Sequence, residues 1–233
     1  MDSGRCVIFD VDGTLTASTG VDDDCLVEAW RRIWGAGHGP VDTDWSKWEH
    51  STDEGLSAEV CRKWLGRGPT REEMDRVRRE FFGLLRQRIS AEPAQCAAVG
   101  GVNELLAALR GAGWRVGIAS GAWEASARIK LESARVNTAG LPGTFAHARA
   151  DGEPARREEI VGKTLEELGG GRAVYVGDGV WDARAARALG IGFVGVRADG
   201  REEKMRAEGV TRILRDYRDT GAAMAAIRSA IEE

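Results

Sequence analysis

Two aspartates, Asp10 and Asp12, stand one residue apart at the end of a short apolar run near the start of the chain. The stretch reads FDVDGTLT over residues 9–16. Aspartate is unfavourable in strands and is almost never fully buried without a partner, and two neighbouring carboxylates repel each other. The pair therefore points to a bound cation or to acid–base chemistry.

Further polar residues follow two later apolar runs. Ser120 closes the run GIAS and is followed by Gly121, and the stretch GDGVWD over 177–182 contains Asp178 and Asp182. In an open α/β sheet, ligands bind outside the carboxyl ends of the strands. If these strands are neighbours, four carboxylates converge at one edge, those of Asp10, Asp12, Asp178 and Asp182.

Clustered carboxylates with a nearby hydroxyl suit phosphoryl transfer. Mg²⁺ takes oxygen ligands and commonly binds one or two carboxylates together with substrate phosphate. Asp10 can bind the metal through one oxygen and attack phosphorus with the other. Asp12 can protonate the leaving oxygen and later take a proton from water. Ser120 and a basic residue would hold the phosphoryl oxygens.

The elements that must position these residues alternate between strands and helices, which predicts a Rossmann-like, doubly wound parallel α/β sheet. Short runs rich in Val and Ile are typical of parallel strands that are covered on both faces. Strands are predicted over 5–10, 114–120, 144–148, 172–178 and 191–196, and helices over 103–113, 125–134, 157–168 and 181–190.

Residues 17–98 interrupt this alternation and read as helices only. A capping-box pattern at Thr70 and Glu73 opens a long helix with apolar residues at helical spacing. We therefore predict a core of residues 1–16 and 99–233, with an all-helical inserted subdomain over 17–98.

The less regular stretch VDTDWSKWEHSTD, over 41–53, could be a loop of this insertion that faces the core. Four candidate substrate contacts lie in this stretch: Trp48, His50, Ser51 and Thr52. Two further candidates, Thr14 and Gly121, lie outside it, close to the aspartate pair and to Ser120.

Composition narrows the classes of function. The chain has 233 residues, is 42% hydrophobic and 30% charged, and has a net charge of −4. This charge gives no support to nucleic-acid binding, and no apolar stretch reaches the length of a membrane span. There is no signal-like N-terminus, and the four cysteines form no CxxC pair. We expect a cytoplasmic protein with reduced thiols that acts on a small molecule.

These motifs resemble those of the haloacid dehalogenase superfamily, in its phosphatase branch, and are similar to those of phosphoglycolate phosphatases. DVDGT at 10–14, GIAS ending at Ser120 and GDGVWD at 177–182 match three family motifs. The insertion lies where members carry a helical cap of the C1 type. The resemblance implies Mg²⁺ bound by Asp10, the backbone carbonyl of Asp12 and Asp178, with Asp182 assisting.

The remaining family motif is a Lys or Arg, and two residues here are candidates, Arg156 and Arg157. We favour Arg157 because it opens the helical run REEIV. The expected function is a Mg²⁺-dependent phosphatase that acts on a small phosphorylated metabolite through an aspartyl-phosphate. A sugar-phosphate mutase of the same superfamily is the alternative. A receiver-type signalling domain matches less well because receivers have no such insertion, and dehalogenases lack the second aspartate.

Overall fold

The computed structural model describes residues 4–197 and 202–232. Its main element is a six-stranded parallel sheet with the order β5-β4-β1-β6-β7-β8. The strands of this sheet are β1 (Cys6–Phe9), β4 (Arg115–Trp123), β5 (Gly143–Ala146), β6 (Ala173–Gly177), β7 (Gly192–Val196) and β8 (Ile213–Leu214). A separate antiparallel pair is formed by β2 (Thr16–Ala17) and β3 (Ala97–Ala98).

Helices cover both faces of the sheet, and the alternation of side chains along β1 shows why. These helices are α4 (Val102–Gly111), α5 (Glu124–Ser133), α6 (Arg157–Glu167), α7 (Val180–Leu189), α8 (Glu203–Ala207) and α9 (Thr220–Ala230). Val7 and Phe9 point into a core shared with α4, α5 and α9, whereas Cys6 and Ile8 point into a core shared with α6 and α7. The Rossmann-like α/β prediction is therefore confirmed.

The segment between β2 and β3 is a helical insertion whose hydrophobic core also includes Trp123 and Ala146 of the sheet. Its helices are α1 (Thr19–Trp34), α2 (Asp53–Leu65) and α3 (Arg71–Ala91). The capping box is present: the Glu73 backbone N–H donates to Thr70 Oγ1 at 3.2 Å, and the Thr70 N–H donates to Glu73 Oε2 at 2.8 Å. Phe81 and Leu85 of α3 are fully buried, as the helical spacing predicted. Within 4–197 and 202–232, none of the helices combines the length and apolarity of a membrane span.

The structure corrects two details of the predicted elements. The inserted segment is not helices only, because Ala17 and Ala97 pair in the β2–β3 ladder where the insertion leaves and rejoins the core. Strand β4 also continues past Ser120 to Trp123, with a shift of its pairing to β5 after Ala119. Trp123 prolongs the strand because it is buried against the insertion, with its ring 5.9 Å from that of Phe81.

All four cysteines are free, in agreement with the predicted reduced thiols, and all four are also buried. The C-terminal elements β8, α8 and α9 were not predicted. Strand β8 has only two residues, and α8 has only five, which is too short for a periodic pattern to be visible.

Candidate active site

The three strands that contain or precede the polar residues Asp10, Ser120 and Asp178 are neighbours in the sheet. Strand β1 lies between β4 and β6, so Asp10, Ser120 and Asp178 meet at one edge. Carboxylate oxygens of Asp10, Asp178 and Asp182 lie within 4.8 Å of one another. Asp12, Arg157 and the three strand-end residues line one cavity between this edge and the helical insertion.

Asp10 lies at the base of the cavity and is 3% exposed. Its backbone N–H donates to Val176 at the end of β6, which fixes the chain as it leaves β1. Burial and the nearby Asp182 carboxylate raise the pKa of Asp10 to about 7, while the Arg157 guanidinium opposes this shift. Such a carboxylate is stabilised in its charged form by any cation that enters the cavity.

Arg157 supplies a buried cation to the site. Its Nη1 donates to Asp10 Oδ1 at 3.2 Å, and its Nη2 donates to the backbone carbonyl of Ser51 at 2.8 Å. Arg156, by contrast, is exposed and lines a neighbouring cavity. The difference arises because Arg157 is the first residue of α6 and faces the sheet edge, whereas Arg156 precedes the helix.

Asp182 is a fully buried carboxylate that is held from three sides. Its oxygens accept from the Gly179 backbone N–H and the Tyr175 hydroxyl, each at 3.0 Å, and Arg157 Nε lies 3.6 Å away. Burial raises the pKa of Asp182, and the Arg157 guanidinium opposes the shift. Asp182 therefore orients Arg157 and caps α7 besides contributing negative charge.

Asp178 completes the group of carboxylates, and burial together with Asp10 and Asp182 raises its pKa. Gly13 has a φ of 71° and leaves room for it, since a Cβ at this position would lie 2.0 Å from Asp178 Oδ2. The three carboxylates fit a hard divalent cation, because the set offers only oxygen donors, and burial raises the pKa of each of them. Asp10, Asp178 and Asp182 could therefore hold a metal ion.

Asp12 has a buried partner that the sequence analysis missed. Lys130, which is fully buried in α5, donates from Nζ to Asp12 Oδ2 at 2.5 Å and to Asp22 Oδ1 at 2.6 Å. The Ser18 hydroxyl donates to Asp12 Oδ1 at 2.5 Å. Burial alone would lower the pKa of Lys130, but Asp12 and Asp22 raise it above its usual value.

A signal for Lys130 was present in the sequence. Lys130 shares the buried side of α5 with Ala127 and Leu131, and a lysine on an apolar helix face needs a partner. The partners, however, come from distant parts of the chain and no spacing rule identifies them.

The candidate substrate contacts lie in different places. Ser51 and Gly121 line the cavity that contains Asp10, whereas Trp48 and His50 line the neighbouring one. The backbone at Gly121 lies close to Arg157 and Ser51. A Cβ at this position would lie 2.4 Å from Arg157 Nη2 and 2.5 Å from the Ser51 carbonyl oxygen, so there is no room for a side chain.

Two further candidates serve as local supports. Thr52 caps α2 by accepting from the Gly55 N–H at 3.2 Å, and it also lines the neighbouring cavity. Thr14 is fully buried, and its carbonyl accepts from the Tyr217 hydroxyl at 3.1 Å. A substrate contact by any of these residues stays a prediction.

The insertion supplies the opposite wall of the cavity with acidic and aromatic side chains, among them Asp22, Asp23, Trp45 and Asp53. Trp45 Nε1 donates to Asp23 Oδ1 at 2.8 Å, and the Trp123 backbone N–H donates to Asp53 Oδ2 at 2.9 Å. Among the lining residues in the described part of the chain, Arg157 is the only lysine or arginine.

Solved structures share this fold. A hydrolase from Pseudomonas syringae is 22% identical, with a TM-score of 0.74 over 95% of this chain and 98% of that one. A protein assigned as a β-phosphoglucomutase from Bacteroides vulgatus is 18% identical, with a TM-score of 0.72 over 99% and 91% of the two chains. A protein predicted to be a phosphoglycolate phosphatase from Haemophilus somnus is 16% identical, with a TM-score of 0.62 over 96% and 99%.

A search of curated protein sequences returned no significant match. The family model of the haloacid dehalogenase-like hydrolases, however, matches residues 5–190. This range includes the strand ends with Asp10, Ser120 and Asp178, the inserted helices and Arg157 of α6. The chain therefore belongs to the haloacid dehalogenase-like hydrolases.

Proposed function

We propose that this hydrolase is a Mg²⁺-dependent phosphatase that cleaves a small phosphomonoester through an aspartyl-phosphate on Asp10. One observation carries the proposal: the buried Asp10 carboxylate lies 3.2 Å from the Arg157 guanidinium and beside Asp178 in a cavity that Asp12 also lines. A nucleophile, a phosphate-binding cation and a second carboxylate are thus available to one bound phosphate.

In the first step, one oxygen of Asp10 attacks phosphorus and the bond from phosphorus to the leaving oxygen breaks. Asp12 donates a proton to that oxygen, so the product leaves as an alcohol. Arg157 and Ser120 bind the phosphoryl oxygens, since a guanidinium can donate two parallel hydrogen bonds to phosphate.

In the second step, water attacks the phosphorus of the aspartyl-phosphate. Asp12 accepts a proton from this water, the bond from phosphorus to the Asp10 oxygen breaks, and inorganic phosphate is released. Asp12 returns to its protonated form and Asp10 to its carboxylate, so the cycle is balanced.

Mg²⁺ would be held by Asp10, the backbone carbonyl of Asp12 and Asp178, with Asp182 assisting, and its charge would offset that of the phosphate. We also propose that residues 17–98 form the cap. Its closure over the cavity would exclude water during attack by Asp10 and select the leaving group. The acidic wall from Asp22, Asp23 and Asp53 supports this arrangement, because it brings cap residues into the same cavity as Asp10.

The experiment that tests the proposal is the release of phosphate from p-nitrophenyl phosphate. We expect continuous turnover with Mg²⁺ and loss of turnover when EDTA removes it. Asp10→Asn should abolish turnover while the fold survives, because the amide is nearly isosteric but is not a nucleophile. Asp151→Asn, at an exposed loop position, is the matched control and should remain active.

Three outcomes would contradict the proposal. Full activity in excess EDTA would exclude the metal, and substantial turnover by Asp10→Asn would exclude the nucleophile. Uptake of one phosphate per chain without turnover would indicate a receiver-like domain. Phosphate returned to an added sugar phosphate in preference to water would instead identify the mutase, which uses the same two aspartates.

A further inference from the structure

We propose that Lys130 is a positioning residue, which fixes the Asp12 carboxylate for proton transfer and connects it to the helical cap. The proposal rests on the acid–base function proposed for Asp12. Lys130 Nζ lies 2.5 Å from Asp12 Oδ2 and 2.6 Å from Asp22 Oδ1. Its side chain is fully buried, so water cannot replace either contact.

The Asp12 carboxylate is held at both oxygens. Lys130 donates to Oδ2, and the Ser18 hydroxyl donates to Oδ1 at 2.5 Å. Ser18 is itself fully buried and lies 2.6 Å from the Thr16 hydroxyl. Two donors that approach from different sides define the rotation of the carboxylate, while each oxygen keeps a lone pair that can carry the proton given to the leaving oxygen or taken from water.

Lys130 also joins the two parts of the molecule. The lysine belongs to α5 of the core, Asp12 belongs to the loop after β1, and Asp22 belongs to α1 of the cap. Asp22 is only 7% exposed, and Asp53 of α2 adds a further negative charge that acts on the lysine. A rotation of α1 away from the core would therefore separate Asp22 from Lys130 and remove one of the two contacts that hold the ammonium group against Asp12.

A purely structural ion pair makes a different prediction. Buried ion pairs often contribute little net stability, because desolvation offsets their attraction, but removing one partner alone is destabilising because it leaves the other charge buried and unpaired. If Lys130 only stabilises the fold, Lys130→Met lowers the melting temperature, and activity per folded molecule is unchanged or changes equally for all substrates. If it positions Asp12, the loss depends on how much the leaving group needs a proton.

The test compares kcat/KM for an alkyl phosphate and for p-nitrophenyl phosphate, whose leaving group departs without protonation. Asp12→Asn is the reference variant, because it removes the proposed acid itself. General acid catalysis typically contributes about 10²–10⁴-fold to the rate. We expect Lys130→Met to lose about 10-fold more activity on the alkyl phosphate than on the aryl phosphate. Lys163→Met, the same change at an exposed position of α6, is the matched control and should show no such difference.

Two conservative variants keep the test decisive if Lys130→Met folds poorly. Asp22→Asn is nearly isosteric and weakens only the contact with the cap, so a smaller difference of the same sign is expected. Lys130→Arg retains the charge and should recover part of the activity on the alkyl phosphate.

Equal losses on both substrates in the Lys130 and Asp22 variants would overturn the proposal, provided that Asp12→Asn shows the difference. If Asp12→Asn itself shows none, the acid function of Asp12 fails first, and with it the ground for this inference. The two failures are therefore distinguishable within one set of measurements.

Discussion

At the scale of single residues, the candidate site is a set of carboxylates that the fold brings too close for all of them to be charged without a cation. Asp10, Asp178 and Asp182 are largely removed from water and lie within 4.8 Å of one another. Arg157 is the buried cation that contacts two of them, Asp10 and Asp182. The residues therefore store electrostatic repulsion that binding of a cation would relieve.

This repulsion predicts a pH-dependent stabilisation by Mg²⁺. In the metal-free protein the pKa of Asp10 is raised to about 7, above its value in the unfolded chain. Between about pH 4 and pH 7 the folded state thus binds more protons, and the contribution of Asp10 to stability falls as pH rises. Mg²⁺ should counteract this loss and raise the melting temperature more at pH 7.5 than at pH 5.

Thermal unfolding with and without Mg²⁺, at matched ionic strength, measures this effect. At a Mg²⁺ concentration 100 times its dissociation constant, the stabilisation should be about 2.7 kcal/mol. An equal shift at both pH values would contradict the prediction. Asp178→Asn should reduce the shift at pH 7.5, because it removes one of the oxygen donors proposed for the metal.

At the scale of elements, the candidate nucleophile and acid lie in the loop after a strand, and helices carry the basic residues that contact them. The loop after β1 carries Asp10 and Asp12, α6 begins with Arg157, and α5 carries Lys130 on its buried side. The insertion has its own helix caps, although its hydrophobic core also includes Trp123 and Ala146 of the sheet. The capping residues of α3 do not line the cavity, so this contribution to stability can be changed separately from the chemistry at the sheet edge.

The capping box of α3 provides a test of this separation. Thr70→Ala removes the hydroxyl that accepts from the Glu73 N–H, and loss of such a cap typically costs about 1 kcal/mol. We expect a free energy of unfolding lower by about that amount and an unchanged KM. Thr70→Ser, which keeps the hydroxyl, should retain most of the stability. A change in KM without loss of stability would place this helix end in contact with the substrate.

At the scale of the whole molecule, the cavity lies between the sheet edge with Arg157 and the inserted helical segment, which contributes acidic and aromatic side chains. Asp23 of α1 lines this wall, and burial together with Asp22 raises its pKa to about 8. The same burial and the same Asp22 charge would disfavour a further negative group placed beside Asp23. With Arg157 engaged by phosphate, no other lysine or arginine among the described lining residues remains to bind a substrate carboxylate.

We therefore expect phosphomonoesters with neutral polyol leaving groups to be better substrates than those that carry a carboxylate. Glycerol phosphate should have a kcat/KM about 10-fold above that of phosphoglycolate, which corresponds to about 1.4 kcal/mol. At about pH 9, above the raised pKa of Asp23, Asp23→Asn should narrow this difference, whereas Asp24→Asn, exposed on the same helix, should leave it unchanged. A preference of the unmodified enzyme for the carboxylate-bearing substrate would contradict the expectation.

The sequence by itself determined the sheet and the residues at its edge. Parallel strands need apolar runs, and ligands bind where those runs end, so Asp10, Ser120 and Asp178 could be identified from local patterns alone. The capping box and apolar spacing of α3 were equally local. The two-residue strands of the β2–β3 pair carry too little pattern to be seen in this way.

Only the tertiary structure decided which charges meet. Arg156 and Arg157 are adjacent in sequence, yet Arg157 is buried and contacts Asp10, whereas Arg156 is exposed. Lys130 lies 118 residues from Asp12 and 108 from Asp22, and no spacing relates them. The physical reason is that a buried charge is satisfied by whatever the packing of distant elements brings within hydrogen-bond distance, which local propensity and periodicity do not encode.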